Sequence, residues 1–189
     1  MRSNYIIDHN ITDPITKWVN DNQIVLDHNS FHEGLVYGKY HLEQVDPEFI
    51  KLGFPYDNLH RLEKEIKTHY NLPIADYESM FGILLIFAPA CLNSYKCVEH
   101  MDLNKEDGRI HTRFNIMISC PTEGGYAIIE DNVIEVEENE PWICVAGLHK
   151  HSTVKMQGTK NRIMLSFGYW YPREFLESRG WIDMYKTEI

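Results

Sequence analysis

The sequence predicts a mainly β protein with flanking helices, in which short strands build a small barrel or sandwich. The first third of the chain reads as helical, the middle alternates polar and apolar residues, and glycines separate several short apolar runs. This order is typical of a β-barrel or sandwich supported by helices. We expect one domain, because 189 residues with 43% hydrophobic content suffice for one core. Its predicted parts are a helical buttress over 1–79, a barrel core over 80–172 and a C-terminal helix and tail over 173–189.

Helix starts are predicted at two Asp-Pro pairs, Asp13-Pro14 and Asp46-Pro47. In each pair a capping side chain precedes a proline that suits the first helical turn. A further helix is predicted over 57–70, where apolar side chains recur at helical spacing among charged ones. These apolar residues are Leu59, Leu62 and Ile66.

Strands are predicted from residue 80 onward. Met80–Ala88 is a short apolar run ended by Pro89, which is typical of a buried strand. Residues 109–119 alternate, with Ile110, Thr112, Phe114, Ile116 and Ile118 on one face and His111, Arg113, Asn115 and Met117 on the other. Whether that polar face meets solvent or the barrel interior stays open. Gly124-Gly125 marks a turn, and further strands are predicted over 126–130, 133–136, 142–146 and 163–171, before a helix near Pro172.

Charge and cysteine usage restrict the function classes. The net charge is -10 and the chain has no Lys/Arg run, which argues against nucleic-acid binding through phosphate contacts. No stretch approaches the ~20 apolar residues of a membrane span, and the amino terminus lacks a signal-peptide pattern. The four cysteines (Cys91, Cys97, Cys120, Cys144) stand in no CxxC spacing. We therefore expect reduced thiols in a cytoplasmic protein, although Cys91 and Cys97 could pair in an oxidising compartment.

The residues that carry chemistry begin at His100-Met101-Asp102. On an extended chain the first and third side chains point the same way, so that an imidazole and a carboxylate can reach one ion. Downstream, His149-Lys150-His151 is expected to place two imidazoles on one strand face, and Arg162 opens the last predicted strand. Two imidazoles and one carboxylate on one face of an ion are typical of non-haem iron(II) oxygenases.

In these motifs the sequence resembles the iron(II)/2-oxoglutarate dioxygenase superfamily, over roughly residues 80–172. The resemblance rests on the order His-x-Asp, distal histidine and strand-opening arginine. A closer likeness, to the aspartyl/asparaginyl β-hydroxylase branch and to small phage-type oxygenases, lies in Arg113-x-Asn115 and in the ending R-x-x-L-S-F-x-Y-W-Y-P over 162–172. That branch typically lacks the carboxylate ligand, which this chain keeps as Asp102. The substrate therefore cannot be transferred from it.

The resemblance implies a double-stranded β-helix, a jelly-roll barrel of cupin type, with Fe(II), 2-oxoglutarate and O2 as cofactor and cosubstrates. It implies that His100, Asp102 and His151 bind the iron. It further implies that Arg162 pairs with the distal carboxylate of 2-oxoglutarate. The other residues expected at the cosubstrate or substrate are Ser166, Arg113, Asn115 and Tyr95. The implied reaction is hydroxylation of an unactivated C–H bond in an amino acid, a peptide side chain or a small molecule, and Asp102 favours hydroxylation over halogenation.

Several alternatives stay open at the level of sequence. His149 could replace His151 as the distal ligand, support a ligand from behind, lie on the substrate side, or simply be exposed. Arg162 could be a surface residue at a strand start. A cupin-like metalloenzyme without 2-oxoglutarate and a catalytically silent barrel that binds a ligand or partner are the competing functions. Hydroxylation of a nucleobase or nucleic acid also stays open within the superfamily, although the acidic balance and the lack of a basic run disfavour it. The substrate and the oligomeric state are not determined.

Overall fold

The computed structural model describes residues 5–23, 38–41, 47–73, 80–90 and 97–186. The helices are α1 (His9–Asp21), α2 (Pro47–Lys51), α3 (Tyr56–His69) and α4 (Arg173–Ser178). The strands are β1 (Gly38–His41), β2 (Met80–Ala88), β3 (Ile110–Ser119), β4 (Ala127–Ile129), β5 (Asn132–Ile134), β6 (Pro141–Cys144), β7 (His151–Thr153) and β8 (Arg162–Tyr171).

Two antiparallel sheets form the body of the protein. The larger sheet has the strand order β1-β2-β8-β3-β6, and the smaller has the order β5-β4-β7. Side chains from both sheets line one cavity, which therefore lies between them. The predicted class, mainly β with flanking helices and a jelly-roll arrangement of antiparallel strands, is confirmed.

Strand β3 separates the hydrophobic core from the cavity. All ten of its residues are buried, so neither face of the strand is exposed to solvent. Phe114 and Ile116 on one face join a core with Ile15 of α1 and Leu62 of α3. Arg113 on the other face lines the cavity. The question left open by the sequence is thus answered: the polar face of β3 points to the interior.

Helix α1 begins earlier than predicted. Its N-cap is Asp8, whose side chain accepts a hydrogen bond from the Asn10 backbone N–H, and Pro14 lies inside the helix. Proline cannot donate to the carbonyl four residues before it, here that of Asn10. The Asn58 side chain of α3 donates to this carbonyl at 3.2 Å. The predicted start at Pro14 is wrong because a partner from another helix replaces the missing donor.

Other boundaries agree more closely. Helix α2 begins at Pro47 as predicted, while Asp46 lies outside the described residues. Strand β1, in the third expected to be helical, was not predicted; it pairs with β2 at the edge of the larger sheet. Cys91 and Tyr95 lie outside the described residues, and the three described cysteines are free thiols. Among the described helices, none has the length and apolarity needed to cross a membrane.

Candidate active site

A cavity of about 100 Å³ lies between the two sheets. Its wall is mostly apolar, with Leu84 and Ile86 from β2, Ile129 from β4 and Met164 from β8. A few polar side chains also line the cavity. They include every described residue that the sequence predicts to bind the metal or the cosubstrate. These are His100, Asp102, Arg113, Asn115, His151, Arg162 and Ser166. An apolar pocket with a few convergent polar groups is typical of a small-molecule site.

At one part of the cavity His100, Asp102 and His151 converge. One potential ligand atom from each lies within 4.8 Å of the others. The Asp102 Oδ1 atom is 3.6 Å from His100 Nε2 and 3.9 Å from His151 Nε2. The backbone enforces this approach, because His100 and His151 exchange two hydrogen bonds of 3.0 and 2.8 Å. The Asp102 N–H donates to the Ala146 carbonyl at 2.8 Å and fixes the third member.

The two imidazoles are oriented by backbone carbonyls. His100 Nδ1 lies 2.8 Å from the Val98 carbonyl oxygen, and His151 Nδ1 lies 3.1 Å from that of His149. A carbonyl only accepts hydrogen bonds, so each Nδ1 carries the hydrogen and donates. In the neutral form of each ring, Nε2 therefore carries the lone pair and faces Asp102. Anchoring the second ring nitrogen in this way is usual for histidines that bind metals.

Asp102 is held through its other oxygen. Its Oδ2 accepts hydrogen bonds from Arg113 Nε at 2.8 Å and from His111 Nδ1 at 3.0 Å. Arg113 also donates to Ser166 Oγ at 3.2 Å. Burial raises the pKa of Asp102, but the His111 hydrogen bond and the Arg113 charge outweigh it and hold that pKa well below its usual range. Oδ1 therefore belongs to an ionised carboxylate.

The two candidate histidine ligands have different environments. Burial lowers the pKa of His151, which favours the neutral form that binds metals. The neighbouring Cys97 raises the pKa of His100 to about 9, against the effect of burial. Cys97 Sγ lies 3.8 Å from His100 Nδ1 and itself lines the cavity. Without a metal His100 is thus the more readily protonated of the two.

Arg162 lies in the cavity wall and is only 1% exposed. Its Nε donates to the Gly125 carbonyl at 2.8 Å, and a terminal nitrogen contacts Met164 Sδ at 3.4 Å. Gly125 has a φ of +71°, and a Cβ there would lie 2.6 Å from Pro121 Cγ and 3.2 Å from Arg162 Cδ. Glycine is therefore required beside the guanidinium. The structure excludes the alternative of a surface arginine at this position.

His149 does not share a face with His151. It lies in a turn in which its N–H bonds the Val145 carbonyl, and strand β7 begins only at His151. Its own ring lies against Tyr185, and its Nε2 is 2.9 Å from the Ile182 carbonyl. The predicted pair of imidazoles on one face is wrong because the chain is not extended there. Among the described residues, the contact of His149 with the candidate ligands is through its backbone carbonyl, to His151 Nδ1.

Sequence reasoning missed the roles of two residues. His111 was placed on the polar face of β3 but was not assigned to Asp102, although its i, i+2 relation to Arg113 was a usable signal. Trp142, which the sequence places in a predicted strand over 142–146 without any role in the site, lies in the cavity wall. Both errors have one cause, since the face of a buried strand that lines a cavity is not marked by periodicity.

No protein-family model and no curated protein sequence matches the chain. Solved structures do. A Pseudomonas putida prolyl-4-hydroxylase is similar with a TM-score of 0.61 at 13% identity, over 92% of each chain. This chain has the prolyl hydroxylase fold. A viral collagen prolyl hydroxylase from Paramecium Bursaria Chlorella virus-1, solved as a 2OG complex, has a TM-score of 0.53 at 12% identity, over 86% of this chain and 91% of that one.

A third similar structure, AviO1 from Streptomyces viridochromogenes, has a TM-score of 0.57 at 12% identity, over 89% of this chain and 87% of that one. Within the prolyl hydroxylase fold, the site of this chain offers two imidazole nitrogens and one ionised carboxylate oxygen. This donor set suits a divalent ion of the iron or zinc type, with further positions free for ligands. The residues present therefore fit a bound metal.

Proposed function

We propose that the protein is an iron(II)- and 2-oxoglutarate-dependent oxygenase that hydroxylates an unactivated C–H bond. The observation that carries this proposal is the convergence of His100, Asp102 and His151, within 4.8 Å of one another, in the wall of a cavity that also contains a buried arginine. The similarity to prolyl hydroxylases over nearly the whole chain supports the same class.

In the proposed enzyme, His100 Nε2, Asp102 Oδ1 and His151 Nε2 hold Fe(II). When bound, the iron supplies the activation of O2 that is coupled to oxidative decarboxylation of 2-oxoglutarate. Arg162 binds the distal carboxylate of 2-oxoglutarate, because a permanently charged guanidinium in a buried wall favours an anion. This role distinguishes the proposal from a cupin-like metalloenzyme, which needs no anion contact at Arg162.

The remaining residues position these groups. Arg113 and His111 orient Asp102 through Oδ2 and leave Oδ1 for the metal. Ser166, expected to contact 2-oxoglutarate, accepts a hydrogen bond from Arg113. Apolar side chains from β2, β4 and β8 line the cavity and favour an apolar part of a bound molecule. We propose an amino acid, a peptide side chain or a small molecule as the substrate, in a cytoplasmic protein.

The test is an oxygen-free titration of the metal-free protein, first with Fe(II) and then with 2-oxoglutarate. We expect a weak visible metal-to-ligand charge-transfer band. His151→Ala should abolish the band, and Arg162→Ala should require much more 2-oxoglutarate to produce it. His149→Gln is the matched control and should retain the band, since only its backbone contacts His151. Absence of a band at saturating iron and 2-oxoglutarate would refute the proposal.

A further inference from the structure

A second polar group lies in the cavity, on the strand pair β3–β6. Asn115 and Trp142 are directly opposed in the register of these strands. Both line the cavity, and they are only 5% and 6% exposed. Trp142 packs in one apolar cluster with Met117 and Ile129, between this cavity and a second one that it lines with Val136 and Tyr185. The pair is thus a buried part of the wall and not a feature of the surface.

The Trp142 indole nitrogen is the informative atom. It is buried and has no hydrogen-bond partner among the residues that the structure describes. An indole N–H can only donate, and a buried donor without an acceptor is unfavourable. The neighbouring Asn115 amide offers both a donor and an acceptor. A ligand oxygen at this place would satisfy the indole and could also bind the amide.

The position of the pair separates it from the other polar groups of the site. Asn115 is two residues along β3 from Arg113, which contacts Asp102. The Asn115 Cα therefore lies about 7 Å along β3 from the Cα of Arg113, the residue that contacts Asp102. Asn115 is opposite Ser166 of the neighbouring strand β8, and Arg162 lies four residues, about 13 Å, further along β8. A group bound at Asn115 and Trp142 would thus occupy a different part of the cavity from one bound at Arg162.

We propose that Asn115 and Trp142 form an oxygen-binding subsite, which takes a carboxylate or carbonyl oxygen of a ligand in the cavity. The oxygen belongs either to 2-oxoglutarate or to the substrate that is hydroxylated. The subsite fixes ligand orientation, because the surrounding wall is apolar and gives no direction to a bound molecule. This inference uses the proposed function only to choose the first probe.

The first experiment compares two identical substitutions in the metal-free protein. Trp18 also has a buried ring, but its Nε1 donates to the Leu52 carbonyl at 2.9 Å and it does not line the cavity. Trp18→Phe removes a satisfied hydrogen bond, so its melting temperature should fall. Trp142→Phe removes a donor without a partner, so its melting temperature should fall less or rise. An equal or larger fall for Trp142→Phe would show that the indole is only structural, and would contradict the proposal.

The second experiment measures binding without turnover. The Mn(II)-loaded protein is titrated with 2-oxoglutarate by calorimetry without oxygen, and then with acetate in the presence of saturating 2-oxoglutarate. If the oxygen belongs to 2-oxoglutarate, Trp142→Phe and Asn115→Leu weaken its binding about tenfold. If it belongs to the substrate, the same variants weaken only the binding of acetate. Trp18→Phe should change neither affinity.

Unchanged affinities for both ligands in both variants would overturn the proposal. Failure of the proposed function gives a different result, since the wild-type protein would then bind no 2-oxoglutarate at all. In that case acetate is titrated into the protein without 2-oxoglutarate. Loss of acetate binding in Trp142→Phe and Asn115→Leu would still support the subsite, and absence of acetate binding to the wild type would refute it.

Discussion

At the scale of single residues, the geometry of the candidate site depends on how Asp102 is held. One carboxylate oxygen accepts from both Arg113 and His111, while the other faces the two imidazoles. A carboxylate fixed in this way has one orientation before any metal arrives, so little freedom is lost when the ion binds. Arg113, which the sequence placed at the cosubstrate, is therefore better described as a positioning residue for Asp102.

Arg113→Gln should weaken Mn(II) binding by about 10- to 100-fold, the usual cost of losing a group that orients a metal ligand. The Mn(II) affinity of Arg113→Lys should lie between those of Arg113→Gln and the wild type. Lysine keeps the charge but cannot contact Asp102 and Ser166 in the same fork geometry. Competition with a chromophoric chelator measures the affinity. Arg173→Gln, on the surface, is the control. Equal Mn(II) affinities in the wild type and the three variants would show that Arg113 does not contribute to metal binding.

Gly125 gives a second prediction at this scale. Gly125→Ala combines a strained φ with contacts to Pro121 and Arg162, whereas Gly53 has a φ of +72° and nothing within 4 Å of an added Cβ. Gly53→Ala should therefore cost about 1 kcal/mol of unfolding free energy. Gly125→Ala should cost at least about 2 kcal/mol, because overpacking is added to strain. Urea denaturation measures both unfolding free energies. Equal costs would show that the residues beside Arg162 move to accommodate the added methyl group.

At the scale of elements, α1 and α3 depend on each other through one side chain. Asn58 of α3 donates to the carbonyls of Asn10 and Ile11 in α1, at 3.2 and 3.1 Å. Pro14 makes the first of these carbonyls available, because it has no N–H to donate. The two helices also share the core that supports the outer face of β3. The helix pair thereby supports the strand that carries Arg113 and Asn115 on its other face.

Asn58→Ala should lower the unfolding free energy by about 1–2 kcal/mol, because it leaves a helical carbonyl without its donor. In a Pro14→Ala background the same change should cost less, since the restored N–H bonds the Asn10 carbonyl itself. A double-mutant cycle by urea denaturation gives this coupling. Strictly additive effects would mean that water already satisfies the carbonyl.

At the scale of the whole molecule, the candidate ligands come from parts of the chain that are distant in sequence. His100 and Asp102 lie in the segment before β3, and His151 begins β7 of the smaller sheet. A metal bound by all three would therefore join this segment, which β3 contacts through Asp102, to the smaller sheet. Because the three ligands converge only when the chain is folded, metal binding should stabilise the folded state.

Mn(II) at about one hundred times its Kd should raise the unfolding free energy by about 2.7 kcal/mol, and a chelator should reverse the effect. His151→Ala should abolish this stabilisation. His60→Ala, an exposed histidine outside the cavity, should retain it. Thermal denaturation with and without Mn(II) is the measurement. A stabilisation that His60→Ala removes and His151→Ala leaves would place the metal elsewhere.

The parts that could be predicted from sequence are those that local chemistry determines. Alternation with a period of two predicted β3, and an apolar run ended by proline predicted β2 with its observed bounds. The ligand types and their order, His-x-Asp and then a distal histidine, also followed from sequence, and the structure brings His100, Asp102 and His151 together. These features can be predicted from sequence because side-chain alternation is a property of a single extended strand.

Only the tertiary structure decided which polar groups meet. The α1 start failed as a prediction because Asn58, distant in sequence, replaces the donor that Pro14 lacks. The prediction that His149 shares a strand face with His151 was wrong because a turn breaks the alternation before β7. Likewise, the contact of Arg113 with Asp102 and the position of Trp142 in the cavity depend on the register between strands. A sequence by itself determines which face a side chain takes on its own strand, whereas the partner across the cavity is determined by how the sheets pack.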